Sequence, residues 1–195
     1  MRRTAWMAGV LLATLVLGSA AFVAAQAPGG KSTAAFTLTS SDFSQGGKLA
    51  NAQVFNGFGC KGDNVSPALS WNHAPQGTQS FALLVHDPDA PTGSGWWHWV
   101  VYNIPPTTTS LPPGAGSPVS HTLPAGAKQG RTDFGNPGYG GPCPPPGSPH
   151  HYYFRLYALK VESLDLPADA SPALISYNVK SQALASAELV GLYGR

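Results

Sequence analysis

Glycine and proline punctuate this chain so densely that regular structure has room only in short runs. Of 195 residues, 23 are Gly and 19 are Pro, just under the share of roughly 25–30% at which a sequence reads as low-complexity. Between the breaks lie segments of β character. Phe36-Thr37-Leu38 alternates, Ala52 to Phe55 is β-prone, and Ala68-Leu69-Ser70-Trp71 follows a Ser66-Pro67 turn. Phe81 to Val85 is a continuous apolar run of the buried-strand type, ended by Asp87-Pro88. Trp96 to Ile104 is stopped by Pro105-Pro106, and His151 to Leu159 forms a further aromatic-rich strand. Many short strands separated by turns predict an all-β-dominated domain, an antiparallel sandwich or barrel. Only the tail reads as helical. Asp169 or Ser171 can cap it, Pro172 suits its first turn, and Ile175, Val179, Ala183 and Ala187 recur every four residues.

Arg2 and Arg3 precede an apolar run from Ala5 to Ala25, which ends at Ala25-Gln26-Ala27. That is the pattern of a secretory signal, 1–27, cleaved after Ala27; an uncleaved anchor is the alternative, since the run is long enough to span a bilayer. Residues 28–34 read as a tether and 35–195 as one domain. Gly30-Lys31-Ser32 imitates the end of a phosphate-binding loop, but Ala25 stands where the first glycine belongs and no strand precedes it. Cleavage leaves a domain with nine basic and nine acidic residues, because the segment holds Arg2, Arg3 and no acid. Charged residues are only 10% of the chain and form no basic stripe, so nucleic acid is not an expected partner. A hydrophobic content of 43% with five Trp argues against disorder. The expected location is periplasmic or secreted. There, the pair Cys60 and Cys143 favours a disulfide over two buried thiols. Asn64-Val65-Ser66 fits the glycosylation triplet.

Three segments hold residues suited to chemistry. His86-Asp87-Pro88-Asp89-Ala90-Pro91 places two acids at the end of a buried strand. They could serve a site or simply close an Asx-type turn. In Trp96-Trp97-His98-Trp99, strict alternation puts His98 on one face with Trp96, Val100 and Tyr102. A histidine in so apolar a strand needs a polar partner. A carboxylate from the first segment would supply one and raise its pKa; a satisfied core histidine is the alternative. The third segment is Gly138-Tyr139-Gly140-Gly141-Pro142-Cys143-Pro144-Pro145, followed by His150-His151-Tyr152. Its glycines allow close backbone approach and could form an anion nest, or the stretch could be a purely structural loop.

Taken together, DPDAP, WWHW and GYGGPCPPPGSPHHY resemble the phosphatidylethanolamine-binding protein family, in particular its bacterial Raf-kinase-inhibitor-like (YbhB/YbcL) branch. Asn56 to Cys60, Asn64 to Trp71 and Ala187 to Gly191 extend the resemblance over nearly the whole domain. It implies a Greek-key β-sandwich of two antiparallel sheets, with a pocket at one end for a small phosphate-like anion or phospholipid head group. Ligand-binding residues implied by motif are Asp87, His98, Pro142, Pro144, His150 and Tyr152, supported by Asp89, Trp96 and Gly141. His151 falls on the opposite face. The working expectation is that His98 and His150 donate to the anion, with loop N–H groups, while Asp87 holds one imidazole.

Two other classes stay in view. An Asp/His/His set could serve a hydrolase or bind zinc, but no GxSxG elbow or helical His spacing occurs. The chain is therefore read as a non-enzyme with no metal or cofactor. Relatives that act on kinases and proteases suggest an interaction or inhibitor role. The same branch suggests a homodimer by analogy.

Overall fold

The computed structural model describes residues 34–195. The signal segment 1–27 and the tether before residue 34 lie outside the described residues. The described residues form one compact unit. Its strands in chain order are β1 (Thr37–Thr39), β2 (Gly47–Lys48), β3 (Asn56–Gly57), β4 (Cys60–Lys61), β5 (Leu69–Asn72) and β6 (Ser80–Asp87). There follow β7 (Trp96–Ile104), β8 (Ser110–Leu111), β9 (Lys128–Gln129), β10 (His150–Leu159), helix α1 (Pro172–Gln182) and β11 (Ala183–Tyr193).

A three-stranded sheet, β1-β5-β8, packs on a six-stranded one of order β2-β11-β10-β6-β7-β9. After β7 a long connection brings the chain back to lie beside β6 rather than β7, the pairing typical of a Greek key. All ladders are antiparallel except β2 on β11, which is parallel; β3 and β4 form a small separate hairpin. The sandwich expected from the sequence is therefore present, with these two additions.

Burial explains the composition of the strands. The central strand β6 has β10 on one side and β7 on the other, and seven of its eight residues are buried. One face of the large sheet, carrying Leu83, Val85, Trp99 and Phe154, meets Leu69, Trp71 and Leu111 of the small sheet. The other face, with Leu84, Val100 and Tyr157, is covered by Ile175 and Val179 of α1. Each such large apolar side chain, fully buried, stabilises the fold by about 1.5–3 kcal/mol.

Helix α1 begins as expected: the Ser171 side chain accepts from the Leu174 N–H at 3.2 Å, and Pro172 fills the first turn. It ends sooner. The four-residue recurrence through Ala183 and Ala187 does not continue as helix, because residues 183–193 pair along the length of β10. The ten-residue ladder overrides a weak helical preference. Ala52 to Phe55 is also not simply extended; Asn51–Gln53 forms a 3-10 turn.

Candidate functional site

Because β6 is antiparallel to both β7 and β10, its C-terminal end lies beside the N-terminal ends of those two strands. Asp87 closes β6, Trp96 and His98 open β7, and His150 and Tyr152 open β10. These residues line a cavity of ≈ 160 Å³. Alternation inward from Val85 and Phe154 turns Asp87 and Tyr152 into the sandwich end.

His98 reaches the cavity by a different route. Val85 pairs with Trp99 but His86 pairs with Trp97, which leaves His98 as an extra residue in the ladder. This is a β-bulge. Beyond it Trp97 turns to the outer face, its ring 4.3 Å from that of His86. His98 turns inward, edge-on to Tyr152 at 5.0 Å and to Phe134 at 5.5 Å. The expectation that His98 shares a face with Val100 and Tyr102 is corrected by this bulge. Trp96 and His98 do face the same cavity.

The two histidines have different partners. His150 Nδ1 donates to Asp87 Oδ2 at 2.7 Å. The other oxygen, Asp87 Oδ1, accepts from the backbone N–H groups of Asp89 (2.9 Å) and Ala90 (3.2 Å). His98 Nδ1 lies 2.6 Å from the Gly140 carbonyl, to which it donates. The carboxylate partner expected for His98 is thus a carbonyl, and the expected rise in its pKa is reversed. Burial pushes the His98 pKa down to about 4, outweighing the opposing effects of that carbonyl and of the Asp87 charge. His98 is 4% exposed, Asp87 3% and Tyr152 1%. Burial, with the Asp87 charge adding to it, raises the Tyr152 pKa, so the phenol keeps its hydrogen. His98 Nε2 and Tyr152 Oη find no hydrogen-bond partner among the described residues.

The glycine loop plays another part than the expected nest. The N–H groups of Tyr139, Gly140 and Gly141 donate to the Gly116 carbonyl, the His98 carbonyl and Asn64 Oδ1, respectively. They are therefore committed within the protein. Gly141 is required by proximity, since a Cβ there would lie 2.0 Å from the Gln53 carbonyl oxygen. Asn64 Nδ2 also donates to the Tyr139 carbonyl, so this amide is a loop fastener. Pro144 lines the cavity, whereas Pro142 does not; its carbonyl accepts from the Phe55 N–H. The Cys60–Cys143 disulfide joins the β3–β4 hairpin to this loop, and Cys143 itself lines the cavity.

Asp89 lies outside the cavity. Its carboxylate accepts from the His151 backbone N–H at 2.8 Å and from the His151 ring at 2.7 Å, which fixes the start of β10. Its slight burial acts to raise its pKa, but these bonds outweigh that and hold it below the usual carboxylate value. His151 is exposed, on the face away from the cavity.

At the rim, Phe58 and Phe134 join the expected Trp96, although neither is among the site residues expected from the motifs. Phe58, 66% exposed, stacks on Phe134 at 5.9 Å, and Phe134 meets Trp96 edge-on at 5.5 Å. Phe58 adopts φ 52°, an unusual conformation for an aromatic residue, within a Gly-Phe-Gly turn. An aromatic residue between two glycines was the available signal. The site is thus a small polar floor under an apolar mouth.

Comparison with known proteins agrees with this architecture. The family model "Phosphatidylethanolamine-binding protein" matches residues 39–194. The chain belongs to the phosphatidylethanolamine-binding protein family. Among members of that family, it is 52% identical to YbcL of Escherichia coli over 161 residues, covering 82% of this chain and 88% of YbcL. It is 49% identical to Escherichia coli YbhB over 156 residues, covering 80% and 98%. The crystal structure of Escherichia coli YbcL, described as a new member of the mammalian PEBP family, superposes with a TM-score of 0.80 at 50% identity. That match covers 82% of this chain and 98% of the other. The fold is therefore that of phosphatidylethanolamine-binding proteins.

Proposed function

We propose that this protein is an exported, non-catalytic binding protein whose cavity takes a small oxyanion, a free phosphate or the phosphoryl part of a head group. The observation that carries this reading is the Asp87–His150 pair beside the buried Tyr152 hydroxyl. The His150 imidazole, held by Asp87 at the cavity wall, offers one donor to an anion, and the phenol offers a second. Each such bond contributes roughly 1.5–3 kcal/mol, offset by dehydration of the anion. The apolar mouth would add contact with whatever the oxyanion is attached to.

A non-catalytic role fits the lining. Thr92 is committed to the Gly95 carbonyl, and Cys143 is held in the disulfide. Neither is available as an activated nucleophile. Export fits both the signal pattern and the disulfide.

The test is calorimetric titration of the purified protein with inorganic phosphate and phosphoethanolamine, alongside His150→Ala. Saturable binding that the variant weakens tenfold or more supports the reading. Absence of binding, or equal binding by the variant, rejects it.

A further inference from the structure

We propose that the cavity selects oxyanions that carry a hydrogen of their own, inorganic phosphate or a phosphate monoester, and rejects those that carry none, such as sulfate or a phosphodiester, because His98 Nε2 accepts that hydrogen. This rests on the oxyanion reading above and names the ligand class within it.

The argument starts from one carbonyl. The Gly140 oxygen can only accept, so His98 Nδ1, 2.6 Å away, must carry the hydrogen. In a neutral imidazole the other nitrogen is then a bare lone pair. The surroundings keep the ring neutral near pH 7. Asp87 at the end of β6 favours the charged form, His86 on the same strand opposes it, and burial dominates both. From β10 comes the neutral phenol of Tyr152, and from the loop the apolar ring of Phe134. Nε2 is thus a buried acceptor without a partner among the described residues, on a side chain that lines the cavity.

A bare oxyanion oxygen set against that lone pair would leave both unpaired. An oxygen bearing hydrogen would satisfy both, while the remaining oxygens accept from Tyr152 and His150. An unpaired buried acceptor costs enough to shift affinity about 10- to 100-fold.

The experiment compares ligands of matched shape by calorimetry on the purified protein. Inorganic phosphate and sulfate are compared at about pH 7. Phosphoethanolamine is compared with its glycerol diester at about pH 6, where the monoester is partly protonated. The expected result is preference of at least tenfold for the hydrogen-bearing member of each pair. His98→Gln replaces the acceptor by an amide that can donate, and should bring the phosphate-to-sulfate ratio close to one. Equal binding of phosphate and sulfate by the natural chain overturns this inference while leaving the oxyanion reading intact. Binding of none of the four overturns both. A folded His98→Gln variant with an unchanged ratio removes His98 as the source of selection. If that variant does not fold, the ligand series on the natural chain still decides.

Discussion

His150 Nδ1 lies 2.7 Å from Asp87 Oδ2, joining two strand ends 63 residues apart in the chain. The same carboxylate closes the turn after β6 through two backbone N–H groups. Asp87 therefore serves the fold with one oxygen and the cavity with the other.

That division predicts different outcomes for two substitutions. Asp87→Asn can keep the turn bonds through its carbonyl oxygen while losing the charge behind His150. Phosphate affinity should drop by roughly 1.5–3 kcal/mol with little change in melting temperature. Asp87→Ala should lose both affinity and stability. Calorimetry and thermal melts on both variants check this, and an Asn variant that binds like the natural protein would show that the charge is irrelevant.

Stability should depend on His98 at mildly acid pH. The folded pKa, about 4, is below the unfolded value of about 6.5. The unfolded chain thus binds more protons between these values, and stability falls as pH falls. The contribution is complete above about pH 6.5 and is lost progressively down to about pH 4, amounting to about 3 kcal/mol. Urea unfolding across this window measures it. His98→Gln should flatten that part of the profile, and a natural protein equally stable at both ends would contradict the assignment.

The Cys60–Cys143 bridge closes a separation of 83 residues. Reduction, or a Cys60→Ser/Cys143→Ser pair, should cost about 2–4 kcal/mol by loop-closure reasoning. Because Cys143 also lines the cavity, phosphate affinity should fall too. Melting with and without reductant gives the first number and titration of the reduced protein the second; an unchanged melt would remove the bridge from the account of stability.

Gly141→Ala would place a methyl 2.0 Å from the Gln53 carbonyl oxygen and 2.7 Å from the Phe55 nitrogen. Both are backbone atoms with little freedom to yield. The expected loss is about 1–3 kcal/mol, as for overpacking, seen in denaturant unfolding. Full stability in this variant would mean that the loop relaxes freely.

Much of the fold could be read from residues that leave no alternative. The apolar run of β6 and the aromatic runs of β7 and β10 suit buried strands in any context. β11 could not be read in the same way, since its Ala, Leu and Glu favour helix and only the β10 ladder makes them a strand. Asp87, His98, His150 and Tyr152 could be placed from their motifs. The partner of His98 could not, because a backbone carbonyl 42 residues away leaves no mark in composition. Nor did alternation reveal the bulge that turns His98 inward, which exists only in the pairing with β6.

The chamber at the sandwich end measures ≈ 160 Å³, below the roughly 300–1,000 Å³ of pockets that enclose a drug-sized molecule. A diacyl lipid gripped there by its phosphorus would leave both fatty tails outside, at about 0.8 kcal/mol for every methylene left in water. On the proposed reading, such a receptacle is unsuited to ferrying whole lipids between membranes and suits small water-soluble cargo.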